Sequence, residues 1–313
     1  MTNLSEFTFL SSDGKTQLHG MLWEPEGVAV RAVLQICHGV AEHIARYDGF
    51  ARALNEQGIV VAGHDHLGHG KSLPEGGTPV YFGQGSTWNT VVDDIYILHQ
   101  RLKQRYPDVP LCIMGHSMGS FLTRTYLIRY PGTVKAAVIM GTGWQPRAAI
   151  TGGLALANAI AAVSGENATS ELVTELAFGS YNKLFAPNRT KVDWLSADES
   201  NVDDYIADPL CGADATVGLF RQMLHGIRFN QRQSHLRQMD REMPVLFVAG
   251  DKDPVGSCGK GVRQTYDAFR AAGMRDCTLK LYPGLRHEIL NEKAYTTDIT
   301  KNIEAWLLSR LEK

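Results

Sequence analysis

Apolar positions along the chain recur with two periods. Short apolar runs at Arg31–Cys37, Ile59–Ala62, Pro110–Met114, Val134–Met140, Pro244–Ala249 and Thr278–Tyr282 have the length of strands buried on both faces. Between them, apolar residues repeat every three or four positions, the spacing of one helix face. Tyr47, Phe50, Ala53 and Leu54 make one such face, closed by Gly58; Trp88, Val91, Val92, Ile95, Leu98 and Leu102 make a longer one. Further helices are predicted over Met118–Tyr130, Lys260–Ala272 and Thr296–Leu311. Near the start, Glu6–Leu10 and Gln17–Trp23 flank the turn Ser12-Asp13-Gly14, which predicts a hairpin.

Strands alternating with helices after a hairpin predict the α/β class: a mostly parallel, twisted sheet with helices on both faces. Residues 144–240 break that rhythm, with no convincing strand and a mixture of apolar and acidic residues. Lying between two sheet strands, they are expected to form an inserted helical cap. The division is then a core in two parts, 1–143 and 241–313, with the cap at 144–240. The stretch Ala148–Val163, built of Ala, Gly and Leu and broken by Thr151 and Asn158, is expected to be too short and too weakly apolar to span a bilayer.

The most informative residues are Gly115-His116-Ser117-Met118-Gly119, placed between a predicted strand and a predicted helix. A serine on so tight a turn has its hydroxyl held clear of the sheet, and the flanking glycines let strand and helix approach closely. Outside that context G-x-S-x-G is a weak pattern; inside it, Ser117 is the candidate nucleophile.

A serine hydroxyl needs a base to take its proton, and the base needs a third group to hold it. The strand Val245–Ala249 runs into Gly250-Asp251-Lys252-Asp253-Pro254, and the next runs into Pro283-Gly284-Leu285-Arg286-His287. His287 is the candidate base. Two acids compete: Asp251 is close to the strand end and suited to turning the loop, whereas Asp253 has the reach to meet His287. Asp253 is favoured. A tetrahedral intermediate also needs two amide donors. Met118 N–H, at a helix start, is one candidate, and Val40 N–H, after His38-Gly39, is the other.

Together these pieces resemble the α/β-hydrolases of the monoglyceride lipase and lysophospholipase group, which is also grouped with the serine aminopeptidases. The resemblance rests on His38-Gly39-Val40-Ala41-Glu42-His43 with Arg46-Tyr47, on His64-Asp65-His66-Leu67-Gly68-His69-Gly70-Lys71-Ser72, on Gly115–Gly119, and on Asp253 and His287. It implies the same triad and oxyanion donors. It also implies hydrolysis of carboxylic esters, such as a monoacylglycerol, lysophospholipid or other medium-to-long acyl ester, through an acyl-enzyme. In the cap, Asp193-Trp194-Leu195-Ser196 and Asp208-Pro209-Leu210-Cys211 are similar to bacterial lysophospholipase-type members. Ala148–Val163 lacks the bulky apolar residues of a lid that dips deeply into a membrane, which limits the expected membrane contact to a transient one through the cap.

Two other readings stand beside this one. A serine aminopeptidase would need an acidic group in the cap for the substrate amine, for which Glu171, Glu175, Asp203 and Asp204 are available. A ligand-binding protein on a hydrolase scaffold would label at Ser117 without turnover. No cofactor and no metal are expected; His64, His66 and His69 lack the spacing of a metal site.

Composition narrows the partners. Over 313 residues, Lys+Arg 31 against Asp+Glu 33 leaves a net charge of −2 with no block of like charge, which argues against nucleic acid. Five scattered cysteines without C-x-x-C spacing, and an N-terminus with neither a basic nor an apolar leader, predict a reducing cytoplasmic setting. Larger apolar groups around Leu172, Leu176, Phe178 and Leu184 are expected to join Ala148–Val163 in walling an acyl site over Ser117.

Overall fold

The computed structural model describes residues 1–311. Eight strands form one sheet: β1 Thr2–Leu10, β2 Gln17–Pro25, β3 Ala32–Cys37, β4 Ile59–His64, β5 Leu111–His116, β6 Ala136–Met140, β7 Val245–Gly250 and β8 Cys277–Tyr282. Their spatial order is β1-β2-β4-β3-β5-β6-β7-β8, and every pairing from β4 to β8 is parallel. The hairpin is longer than its apolar pattern predicts. β1 pairs with β2 from Leu10↔Gln17 back to Thr2↔Pro25, because ladder bonds use the backbone and need no apolar side chain at Thr2–Ser5.

β3 to β7 are buried along their whole length, as strands covered on both faces must be. The period of two then sends alternate residues into two cores. Val33, Val60, Ile113 and Phe247 enter one; Leu34, Val61, Met114 and Val248 enter the other.

The helices in chain order begin with α1 Asp48–Asn55, α2 Trp88–Arg105 and α3 Met118–Arg129. Between β6 and β7 come α4 Arg147–Ser164, α5 Glu171–Thr174, α6 Ser180–Lys183, α7 Glu199–Ala207, α8 Val217–Asn230 and α9 Gln233–Leu236. After β7 come α10 Lys260–Ala271 and α11 Thr296–Leu311. α1 and α11 cover one face through Phe50, Leu54, Ile303 and Leu307. α2, α3 and α10 cover the other through Val91, Ile95, Leu122 and Phe269.

α4 corrects one expectation. It extends over 18 residues with a mean hydropathy of 1.3, enough by length and composition to cross a membrane. Here it packs against α8 through Ile150, Leu154 and Ala157 and leaves most of its surface outward.

Candidate active site

Ser117 joins β5 to α3 with φ 53° and ψ −122°, a conformation costly for a residue with a side chain. The turn survives because both flanks are pinned. Ser117 N–H donates to the Met140 carbonyl at 3.0 Å, and a Cβ on Gly119 would lie 2.0 Å from the Cys37 carbonyl oxygen. A Cβ on Gly115 would lie 2.2 Å from the Gly119 carbonyl oxygen. Both glycines are steric requirements of strand meeting helix.

The loops after β7 and β8 bring Asp253 and His287 together. His287 Nδ1 lies 3.0 Å from Asp253 Oδ2, an ion-pair distance, with the N–H off the line of a hydrogen bond. Both side chains are buried, and the other Asp253 oxygen accepts from Val255 N–H at 2.9 Å. His287 Nε2 has no hydrogen-bond partner among the described residues, which leaves it able to take a proton. Asp251 is used differently. Its carboxylate accepts from Gly284 N–H at 2.8 Å and ties the two loops together.

Val40 and Met118 line the same cavity as Ser117. Met118 is the first residue of α3, so its amide has no intrahelical acceptor. Val40 N–H likewise has no partner among the described residues. Val40 follows a loop held from beneath. Glu42 accepts from Gly39 N–H, from the Tyr47 hydroxyl at 3.0 Å and from Arg46 at 2.9 Å, and lies 3.2 Å from His116 Nδ1. Burial alone would raise the Glu42 carboxyl, but the His116 hydrogen bond and the Arg46 charge outweigh it and hold the group well below the usual range. His116 Nε2 reaches the His287 carbonyl at 3.2 Å, and Arg46 forks onto Glu288 at 2.7 Å. One buried polar network therefore spans the loop carrying Val40, the residue before Ser117, the His287 backbone and the residue after it. Sequence reasoning gave Glu42, His116 and Arg46 no role of their own. The only trace was the acid and base near Gly39 in the motif.

His64, His66 and His69 lie buried behind this loop with His38, whose ring centroid is 4.2 Å from that of His66. His66 N–H donates to His38 Nε2 at 2.9 Å, which places the His38 proton on Nδ1, 2.7 Å from the Gly39 carbonyl.

The residues between β6 and β7 complete the site. Trp194 lies against His287 with ring centroids 5.1 Å apart and planes tilted by 39°, and Arg286 donates to the Ser196 carbonyl at 2.9 Å. A cavity of about 530 Å³ opens over Ser117, walled by Ile150, Leu156, Phe178, Phe220 and Leu224. Phe178 lines it as expected, and so does Leu176 although 65% of its surface stays exposed, but Leu172 and Leu184 do not line it. Residues 171–183 are one helical stretch whose centre, Glu175–Gly179, is a π-helical turn, and that wider turn breaks the 3.6-residue repeat from which an inward face is read.

The model of the serine aminopeptidase, S33 family matches residues 28–294. The chain belongs to this family of α/β-hydrolases. A monoacylglycerol lipase of Mycolicibacterium smegmatis is 31% identical over 98% of each chain. The monoglyceride lipase of Mus musculus is 28% identical over 96% of this chain and 90% of that one. The crystal structure of a thermostable carboxyl esterase from Bacillus coagulans, in complex with glycerol, superposes with a TM-score of 0.92 at 26% identity, covering 99% of this chain and 100% of that one.

Proposed function

We propose that this carboxylic ester hydrolase acts on esters with a medium-length acyl chain, of the monoacylglycerol or lysophospholipid kind. Ser117 attacks the acyl carbonyl while His287 Nε2 takes the hydroxyl proton and later delivers it to the leaving alcohol. Asp253 holds the imidazole from the Nδ1 side and stabilises its charged form. Val40 and Met118 amides receive the oxyanion, and water resolves the acyl-enzyme by the same steps. The observation that carries this reading is the apolar cavity over Ser117, lined by Val40 and Met118 and by Trp194, which lies against His287 of the buried His287–Asp253 pair. The lipase names of the relatives support the acyl-ester class.

In this reading residues 144–240 act as the cap on a core made of 1–143 and 241–313, the substrate is a small ester met at most transiently at a membrane surface, and the setting is cytoplasmic. The aminopeptidase alternative lacks its amine anchor. Glu175 pairs with Lys183, Asp203 with Arg189 and Asp204 with Lys293, all at the exposed surface; Glu171 is exposed as well, and none of the four lines the cavity.

The test is hydrolysis of p-nitrophenyl esters of graded length beside monoacylglycerol, lysophosphatidylcholine and prolyl amides. Each methylene buried on the apolar wall contributes roughly 0.8 kcal/mol, so kcat/KM climbs until the cavity fills, with the best chains at about six to twelve carbons. Preference for acetate over octanoate, or for prolyl amides over both, overturns the proposal.

A further inference from the structure

The stretch Tyr205–Gly212 is bound to the loop after β3. The Ala41 carbonyl accepts from the Tyr205 hydroxyl and from Gly212 N–H, each at 3.0 Å. Beside this tie, His43 Nε2 lies 2.8 Å from Asp208 Oδ2, and Cys211 Sγ completes a group whose three donor atoms all lie within 4.8 Å of one another. Among the described residues this is the one set of three such side chains that converges. His43 is buried, while Asp208 and Cys211 are half-buried, so an ion can enter from solvent.

We propose that His43, Asp208 and Cys211 bind one thiophilic divalent cation of the zinc class, bridging the loop that carries Val40 to the 205–212 stretch. Nitrogen, oxygen and sulfur donors from three side chains, with a water in the fourth position, are a set that zinc accepts. Tetrahedral bonds of about 2.0 to 2.3 Å put neighbouring donors roughly 3.3 to 3.7 Å apart. The His43–Asp208 pair must open by under an ångström, and Cys211 Sγ, within 4.8 Å of both, must settle into that range. Binding forms a metal–sulfur bond as the Cys211 thiol proton leaves for solvent. The His43 imidazole binds through Nε2 with its ring proton on Nδ1. The proposed chemistry at Ser117 does not use this ion, which acts by fastening one segment to another.

The test is titration of the metal-free, full-length protein with Co²⁺, whose thiolate charge-transfer absorption reports a sulfur ligand without reference to ester hydrolysis. A failure here therefore leaves the esterase reading untouched, and the reverse also holds. The expected result is a band saturating at one equivalent, displaced by Zn²⁺, together with a Zn²⁺-dependent rise in Tm. Cys211→Ser should abolish the band, Asp208→Asn should weaken Co²⁺ binding at least about tenfold, and Cys258→Ser should leave it intact. Unchanged far-UV circular dichroism shows that the variants remain folded. No band at one equivalent, or a band that survives Cys211→Ser, overturns the proposal.

Discussion

Trp194 lies against the imidazole of His287 with ring centroids 5.1 Å apart and planes inclined by 39°. It reaches that position from the segment between β6 and β7, whereas His287 belongs to the loop after β8. The proposed base is therefore held from two sides, by Asp253 through Nδ1 and by an indole against its ring. Aromatic pairs contribute about 0.5 to 1.5 kcal/mol beyond the area they bury. Trp194→Ala should lower kcat/KM by about two- to tenfold, and Trp194→Phe should keep most of the activity. Equal activity in Trp194→Ala and the parent would show that the indole only fills space.

Ser117→Ala should cut kcat by roughly 10³- to 10⁶-fold and abolish fluorophosphonate labelling, because the members of such a triad act as a unit. Labelling of the variant at the parent rate would remove Ser117 from the mechanism.

Asp253→Asn should cost roughly 10³- to 10⁴-fold in kcat with the fold retained, since an amide no longer fixes the productive imidazole tautomer. Asp251→Asn should cost far less, because Asp251 only accepts from Gly284 N–H. Steady-state kinetics on the two variants decide between them, and a reversed order would move the acid to Asp251.

Gly119→Ala places a methyl group 2.0 Å from the Cys37 carbonyl, and backbone on both sides leaves little room to yield. Overpacking of this kind costs about 1 to 3 kcal/mol or more. Urea unfolding should show that loss together with reduced activity, since the clash also displaces the turn at Ser117. A variant as stable as the parent would contradict the close approach of α3 to β3.

Acid should destabilise the fold through its buried histidines. Burial, reinforced by His38, pushes His64 down to about 3 and His69 to about 4, and His38 and His66 are lowered in the same direction. The unfolded chain then binds more protons than the folded one below a pH of about 6.5, so stability falls as pH drops from there towards 4. Asp94, raised to about 6 by burial, and the raised His19 and His116 act in the opposite sense but are fewer. Tm measured from pH 7 to 4 should decrease steadily. A Tm that rises on acidification would mean that the histidine cluster carries protons in the folded state.

Much of this protein was legible along the chain because it depends on local order. Uninterrupted apolar runs announce strands buried on both faces, and Gly115 and Gly119 around Ser117 announce a turn that only small residues permit. Asp253 and His287 were legible because each stands just beyond an apolar strand, and parallel strands deliver their ends to one edge of the sheet. What the chain order could not contain is the meeting of distant side chains. Glu42 and His116 are 74 positions apart, and Arg46 and Glu288 are 242 apart; their network exists only once β3, β5 and β8 lie in one sheet. Which of Leu172, Leu176 and Leu184 would touch the cavity was likewise a tertiary decision. The π-helical turn Glu175–Gly179 in the middle of the helical stretch 171–183 offsets any 3.6-residue repeat, so Leu176 reaches the cavity while Leu172 does not.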